Sequence, residues 1–376
     1  MSDLIRAAVS AFLHPGGPYL FVRIVTAAYA VSAIGRLIPV RRKQIAGYRP
    51  KQPRSVTLAA GAVAVAPAAA ACAVTVGHGT ATGHGTVTAG QSAITPGRDA
   101  SPAVNAATSP GNLLLGVFEP GEWTSYQPVS RFAVAIGQNP SLVLIYSGWP
   151  EPFQAHFAAM VHAHHAEPFV QMEPVGVSLQ SIAAGRHDRY LKTYADQVRS
   201  YGYPVTLSFA AEMNGDWYAW GAGHTSPRVF VAAWRHMVDV FRAEHARNIT
   251  WLWTVNSVNA SKVPLRPWWP RAGYVDVVGI DGYYYRQTDT FASVFGTTIA
   301  QVRGFTRDPI LISETAVGPV AGAAKVADLF DGARAARVAG LIWFDQAQHD
   351  GIYHQDWRLE DNPALLAAFR RATLRS

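Results

Sequence analysis

The chain has 376 residues, of which 49% are apolar and 15% charged, and it carries one cysteine, Cys72. That composition excludes a highly charged disordered protein, a disulfide framework and any Cys-ligated metal site built from this chain alone. The net charge of +7 is no footprint of nucleic acid: residues 1–112 hold ten Lys/Arg against two Asp/Glu, whereas residues 113–376 hold 22 against 23.

Residues 1–55 form a basic segment with Arg41, Arg42, Lys43, Arg49, Lys51 and Arg54 at its end. Residues 56–76 follow as an uncharged run, VTLAAGAVAVAPAAAACAVTV. About 20 apolar residues span a bilayer as a helix, and positive charge on the N-terminal side places that side in the cytoplasm. Three readings stay open: a retained anchor, an export signal cleaved near the alanines at 68–71, or a low-complexity cytoplasmic tail. The first two put the rest of the chain outside the cytoplasm, membrane-anchored or secreted, with the membrane a partner where the segment is kept. Residues 77–111 contain GHGTAT and GHGTVT in tandem and are rich in Gly, Thr, Ser, Ala and Pro, which predicts a flexible linker.

From 112 to 376 short apolar runs alternate with amphipathic stretches. Strands are predicted at 113–118, 142–146, 168–172, 205–209, 249–254, 275–280, 310–313 and 341–344. Helices are predicted at 154–165, 187–200, 227–247, 291–305, 321–338 and 363–372. Runs of four to six apolar residues without polar alternation suit parallel strands buried on both faces. Eight such strands with helical crossovers over about 265 residues predict an α/β fold, a (β/α)8 TIM barrel. A doubly wound open sheet is the alternative, but no glycine-rich phosphate loop follows the first strand.

In a barrel, functional side chains stand at the C-terminal ends of the strands. Glu173, Glu212, Asn256, Asp281 and Glu314 all follow apolar runs, where an ionisable or amide group is costly to bury unless it faces a cleft. Glu212 and Glu314 follow strands four and seven, which face each other across the mouth. Two opposed carboxyls beside Trp and Tyr are the equipment for cleaving a glycosidic bond, with Glu212 as acid/base and Glu314 as nucleophile. Aromatic faces stack on sugar rings, and Asn and Tyr hydrogen-bond hydroxyls. The His162, His164 and His165 cluster lacks a carboxylate partner and reads as a solvated helix face. The Asp345, Asp350 and Asp356 spacing lacks the glycine and terminal glutamate of a calcium loop. No metal and no cofactor is expected.

The segment 212–220, EMNGDWYAW, resembles the acid/base signature of glycoside hydrolase family 26, the family of many β-mannanases. Residues 312–315, ISET, are similar to its nucleophile strand. Residues 275–283 resemble its sixth strand, 356–359 its C-terminal ending, and 182–188 an upstream segment. The resemblance covers about 112–372. It implies a (β/α)8 fold, retention of anomeric configuration and a β-linked polysaccharide substrate, with an endo-β-1,4-mannanase as the best match. It also implies that Tyr283 orients Glu314, that Trp343 forms a sugar platform, and that Trp217 and Trp220 line the groove. Asn214 lies within the signature, and Glu173 and Asn256 line the mouth. Two positions depart from the family pattern: Ala211 stands where a His precedes the acid/base, and Ser208 where an Arg stands four residues before it. Both remove charge or hydrogen bonding beside the reacting sugar, which keeps another β-glycan, such as an envelope polysaccharide, in view. A transglycosylase and a carbohydrate-binding barrel without catalysis are the further alternatives.

Overall fold

The computed structural model describes residues 113–121, 124–258, 262–347 and 355–374. The basic segment, the apolar run 56–76 and the linker 77–111 lie outside the described residues. Among the described residues no helix is long and apolar enough to cross a membrane.

Burial on both faces explains the unbroken apolar runs. The strands are β1 (Leu114–Phe118), β2 (Leu142–Gly148), β3 (Glu167–Glu173), β4 (Val205–Phe209), β5 (Ile249–Asn256), β6 (Val277–Asp281), β7 (Ile310–Thr315) and β8 (Gly340–Phe344). They pair in parallel in chain order, and β1 pairs with β8 from Leu114↔Gly340 to Phe118↔Phe344, which closes the barrel. Every residue of β1, β3, β4, β6 and β7 is buried. Alternation then sorts the side chains into two cores. Leu142, Leu144, Phe169, Leu252, Val277, Leu311 and Ile342 fill the barrel interior. Val143, Ile145, Val170, Met172, Trp253 and Leu341 point outward to the helices.

The helices are α1 (Gln127–Ile136), α2 (Ala155–Ala163), α3 (Leu179–Ala183), α4 (Asp188–Tyr201), α5 (Pro227–Ala243), α6 (Thr297–Arg303), α7 (Ala324–Ala335) and α8 (Pro363–Thr373). Side-chain caps start three of them: Ser178, Ser226 and Asn362 accept from the N–H of Ser181, Val229 and Leu365. The apolar stripe of α5, with Phe230, Trp234, Met237 and Phe241, packs on the sheet. The stretch predicted as one helix over 291–305 begins instead with a π-helical turn, Ala292–Gly296, before α6. Helix α1 is absent from the prediction above.

Gly279 in β6 is required by close approach. A Cβ there would lie 2.5 Å from Ser313 Oγ, 2.6 Å from Leu252 Cδ2 and 2.8 Å from Thr254 Oγ1. Gly279→Ala is therefore expected to destabilise the fold by about 1–3 kcal/mol, read as a lowered Tm, because the crowded core cannot take a methyl group without displacing Ser313.

Candidate active site

Two backbone irregularities aim the two predicted carboxyls into the mouth. The first lies in β7. Its register shifts against both neighbours: Gly279↔Leu311 is followed by Asp281↔Glu314, and Ile312↔Leu341 by Thr315↔Trp343. One extra residue therefore sits in β7 near Ser313 and Glu314. Leu311 faces the interior, so strict alternation would face Ser313 inward and Glu314 outward. The bulge lets both turn inward: Ser313 Oγ donates to Asp281 Oδ1 at 2.6 Å, and Glu314 meets the interior donors described next. The second irregularity follows β4, where Ala210 and Glu212 adopt φ of 49° and 54°. Left-handed backbone is sparsely populated outside glycine and asparagine, and it tends to persist where the surroundings over-determine it. Here Ala210 N–H donates to Met172 O at 3.0 Å and Glu212 N–H to Thr254 O at 3.1 Å.

Each carboxylate is held by donors from other strands. Tyr146 OH donates to Glu314 Oε1, Gln171 Nε2 donates to the same oxygen at 3.2 Å, and Tyr283 OH donates to Oε2 at 2.7 Å. Burial raises the Glu314 carboxyl above its ordinary range, and these three hydrogen bonds oppose the rise. Glu212 Oε1 accepts from Asn256 Nδ2 at 2.5 Å and Oε2 from Trp217 Nε1 at 2.8 Å. Asn214 braces this side: its Nδ2 donates to Asn256 O at 2.7 Å, and its Oδ1 accepts from Asn256 N at 2.9 Å.

Two further buried carboxyls respond to both. Glu173 at the end of β3 is 1% exposed, and burial, then Glu314 and Glu212, push it up to about 8. Asp281, fully buried, is raised well above the carboxylate range by burial and by the same two glutamates. No cation is among the principal influences on Glu173, Asp281 or Glu314. The mouth is thus an acidic, buried site in which burial and neighbouring glutamates favour the protonated forms of Glu173 and Asp281. Because Glu173 binds its proton more tightly folded than unfolded, its contribution to stability falls as pH rises from about 4.5 to about 8. Glu173→Gln is expected to flatten the pH dependence of Tm between pH 5 and 8, measured against wild type by thermal melts.

The predicted aromatics divide. Trp217 is half-buried and bonded to Glu212. Trp220 is buried, stacks on Tyr218 at 4.4 Å and 11°, and donates to Ala211 O at 2.8 Å, so it supports the Glu212 loop. Tyr283 is on Glu314, while Tyr284 points into the outer core and donates to Asp328 Oδ2 at 3.0 Å. Trp343 is not a platform at the mouth. It is 0% exposed in the outer core, 5.1 Å from Phe369 at 80°, and its indole N–H donates to Trp357 O at 3.0 Å. The cause is strand parity: its neighbour Phe344 takes the inward position, stacked on Phe118 at 4.7 Å and edge-on to Tyr283 at 5.9 Å. Trp357 covers Tyr283, stacked at 4.6 Å and 18°.

Tyr146 and Gln171 were not singled out from the sequence. Their signal was available: 142, 144 and 146, and 169, 171 and 173, share the inward parity of β2 and β3. His162 and His164 are exposed and stack on Tyr203 and Tyr126. Asp350 lies outside the described residues. Asp345 instead gathers with Glu119 and Glu360, their nearest oxygens within 4.8 Å of one another, a spacing that could hold a cation. Burial and these two neighbours push Asp345 up to about 10.

Residues 151–372 match the family model described as glycosyl hydrolase family 26. The chain belongs to glycosyl hydrolase family 26. It is 28% identical over 274 residues to Endoglucanase H of Acetivibrio thermocellus, a match covering 67% of this chain and 30% of that protein. It is 32% identical over 95 residues to mannan endo-1,4-beta-mannosidase A and B of Caldalkalibacillus mannanilyticus, covering 24% of this chain and 18% of that protein. The chain thus spans less than a third of the length of these relatives. Among solved structures, a Cellulomonas fimi endo-beta-1,4-mannanase double mutant superposes with a TM-score of 0.57 at 17% identity, covering 73% of this chain and 75% of that one. The catalytic domain of the Bacillus sp. JAMB-750 endo-beta-1,4-mannanase gives 0.56 at 18% identity, covering 73% and 90%. These likenesses show the shared (β/α)8 fold. In this family 26 barrel the Ser208 position is a neutral pair, Ser208 Oγ lying 2.9 Å from Thr254 Oγ1 in the buried interior.

Proposed function

We propose that the protein is a retaining β-glycanase that hydrolyses a β-linked polysaccharide by double displacement. The observation that carries this reading is the pair Glu212 and Glu314, each anchored by two or more donors and both acting on Glu173 and Asp281. In the first step a carboxylate oxygen of Glu314 bonds to the anomeric carbon. The glycosidic C–O bond breaks, and Glu212 gives its proton to the leaving oxygen. In the second step Glu212 takes a proton from water. The water oxygen bonds to the anomeric carbon, and the bond to Glu314 breaks. Tyr146, Gln171 and Tyr283 hold Glu314 in line for attack, and Asn256 and Trp217 orient Glu212.

The substrate we favour is a β-1,4-mannan, by analogy with the mannanases that share the fold and the mannosidase that shares sequence. A β-glucan is the second reading, favoured by the longer match to Endoglucanase H and by the neutral Ser208–Thr254 pair. Assays on β-mannan, β-glucan and xylan, with product sizing, test this. Turnover of one with retained configuration in the first-formed product supports the proposal, and binding without turnover on all three would make the barrel a carbohydrate binder. Product enriched in longer oligosaccharides would indicate transglycosylation.

We further propose that the apolar run 56–76 exports or anchors the barrel outside the cytoplasm. Protease added to intact cells would then remove the barrel domain, and its full protection would refute this placement.

A further inference from the structure

The face of the barrel opposite the mouth carries the inverse charge. Strands start there and helices end there, since each helix runs antiparallel to the strand it follows. The last turns of every helix but the short α3, the loops from them into the strands and the stretch 269–276 before β6 together hold ten arginines and three carboxylates, Glu244, Asp276 and Asp308. Residues 113–376 as a whole are balanced, 22 basic against 23 acidic, so the barrel is polarised, with arginines at one end and carboxyls at the other.

Six of these arginines, Arg247, Arg271, Arg307, Arg337, Arg370 and Arg371, are exposed and make no ion pair with a described residue. The three carboxylates are only partly exposed and are engaged. Glu244 Oε1 lies 3.9 Å from Lys192 Nζ, Asp276 Oδ2 accepts from Trp251 N at 2.9 Å, and Asp308 Oδ2 accepts from Thr306 Oγ1 at 2.7 Å. Attraction to the helix dipole accounts for cations in a last turn, such as Arg370 and Arg371, but it falls off within that turn. Arg247, Arg271, Arg307 and Arg337 stand in the loops beyond, where the dipole gives no reason for them.

Apolar side chains on the same face give an independent pointer. Among the described residues the large apolar side chains that stand exposed are Val134, Tyr203, Val320 and Leu374. Three of the four are here: Val134, 79% exposed, in the last turn of α1; Tyr203 in the loop into β4; and Leu374, 83% exposed, directly after α8. Arg370 Nε donates to Ala135 O, which brings the turn that holds Val134 beside the arginines of α8. Strand β1 also begins on this face, so the chain that precedes it, with the apolar run 56–76, joins the barrel here. Guanidiniums bind phosphate oxygens, and apolar tips among them find cover in a lipid headgroup layer. A soluble acidic polymer would leave those tips in water.

We propose that this face docks on an anionic phospholipid bilayer, with the arginines on headgroup phosphates and Val134, Tyr203 and Leu374 in the headgroup layer, so that the mouth points away from the membrane. The inference builds on the reading of the run 56–76 as an anchor, and on the β-glycanase reading only for its purpose. An apolar segment and a basic patch are two modest signals that together give stable attachment. A barrel tethered but free to turn presents its mouth to the lipid part of the time. A docked barrel holds Glu212 and Glu314 toward a polymer in the medium.

The test uses the full chain with Cys72→Ser and one dye-labelled cysteine, either Gln138→Cys in the exposed loop after α1 or Val320→Cys in the exposed loop after β7 on the mouth side. Thermal melts confirm folding. Each is mixed with phosphatidylcholine vesicles carrying a nitroxide on the headgroup, with and without phosphatidylglycerol. Quenching at 138 is expected to exceed that at 320 by roughly threefold or more when phosphatidylglycerol is present, and to fall toward the level at 320 in high salt. The Arg337→Ser/Arg371→Ser and Val134→Ser/Leu374→Ser pairs are each expected to weaken it. Equal quenching at the two positions, or quenching at 138 that ignores phosphatidylglycerol and both pairs of substitutions, would overturn the proposal, because a tether alone gives that result. Absence of quenching at 138 would overturn it too, and a dye there that responds instead to soluble polyphosphate would assign the face to an acidic polymer. None of these outcomes depends on turnover, so a failure of the hydrolase reading shows separately in the glycan assays.

Discussion

Glu314→Ala is expected to lower kcat on the preferred β-glycan by roughly four orders of magnitude or more, with Tm changed by only a few degrees. The activity argument is direct, since three donors from three separate segments fix this carboxylate. Tyr146, Gln171 and Tyr283 come from β2, from β3 and from just after β6, and they converge on this one group. The stability argument follows from the sign of its shift. A carboxyl raised by burial is less stable charged inside than outside, so its removal relieves a cost while leaving three donors to find water. Added azide should restore turnover of an activated aryl glycoside and yield the azide product of inverted configuration, the mark of a lost nucleophile. Azide without effect, alongside a large fall in kcat, would assign Glu314 a role in positioning alone.

Glu212→Ala carries the second large effect, and its signature is dependence on the leaving group. Glycan hydrolysis should fall by roughly 10²–10⁴, whereas an aryl glycoside whose leaving group needs no proton should lose far less in its first step. The alkaline limb of the pH–rate profile should vanish with it. Asn256→Ala is the gentler companion: it removes the 2.5 Å donor to Glu212 Oε1 but keeps the Asn214 brace, which is made to the Asn256 backbone. Equal losses on both substrates in Glu212→Ala would show that this residue is no proton donor.

Strand order and barrel closure could be read from the chain because continuous apolar runs have one economical arrangement, a parallel sheet covered on both faces. The positions of Glu212 and Glu314 followed from the same logic, as ionisable groups set directly after such runs. What could not be read is the direction a side chain takes where the strand departs from regularity. The extra residue in β7 and the left-handed φ at Ala210 and Glu212 turn the two glutamates inward, and neither leaves a period in the sequence. Trp343 shows the opposite case: regular alternation held through β8 and sent it outward, so its size and its place at a strand end were misleading without the parity of Ile342 beside it. Tyr146 and Gln171 lie inside runs that look wholly structural. Their roles appear only once alternation is counted from Leu142 and Phe169. Helix α1 carries Val129, Phe132, Ala133 and Ile136 on one buried face, with Pro128 at its start and Gly137 in left-handed conformation at its end, so its signals were present but unread.

The departures at Ser208 and Ala211 acquire a physical meaning here. With a neutral hydroxyl pair and an alanine in those places, burial and the two glutamates raise Glu173 and Asp281, and no cation is among the principal influences on either. Carboxyls that act on one another in this way couple activity to pH through several groups together rather than through one.

The covalent step is tested most directly by trapping it. The protein is incubated with an activated 2-deoxy-2-fluoro β-glycoside of the sugar it prefers, digested, and sequenced by mass spectrometry. The account predicts one glycosyl adduct, on the peptide carrying Glu314, formed with loss of activity and absent in Glu314→Ala. An adduct on Glu212, Asp281 or Glu173, or turnover with inverted anomeric configuration and no adduct, would contradict it.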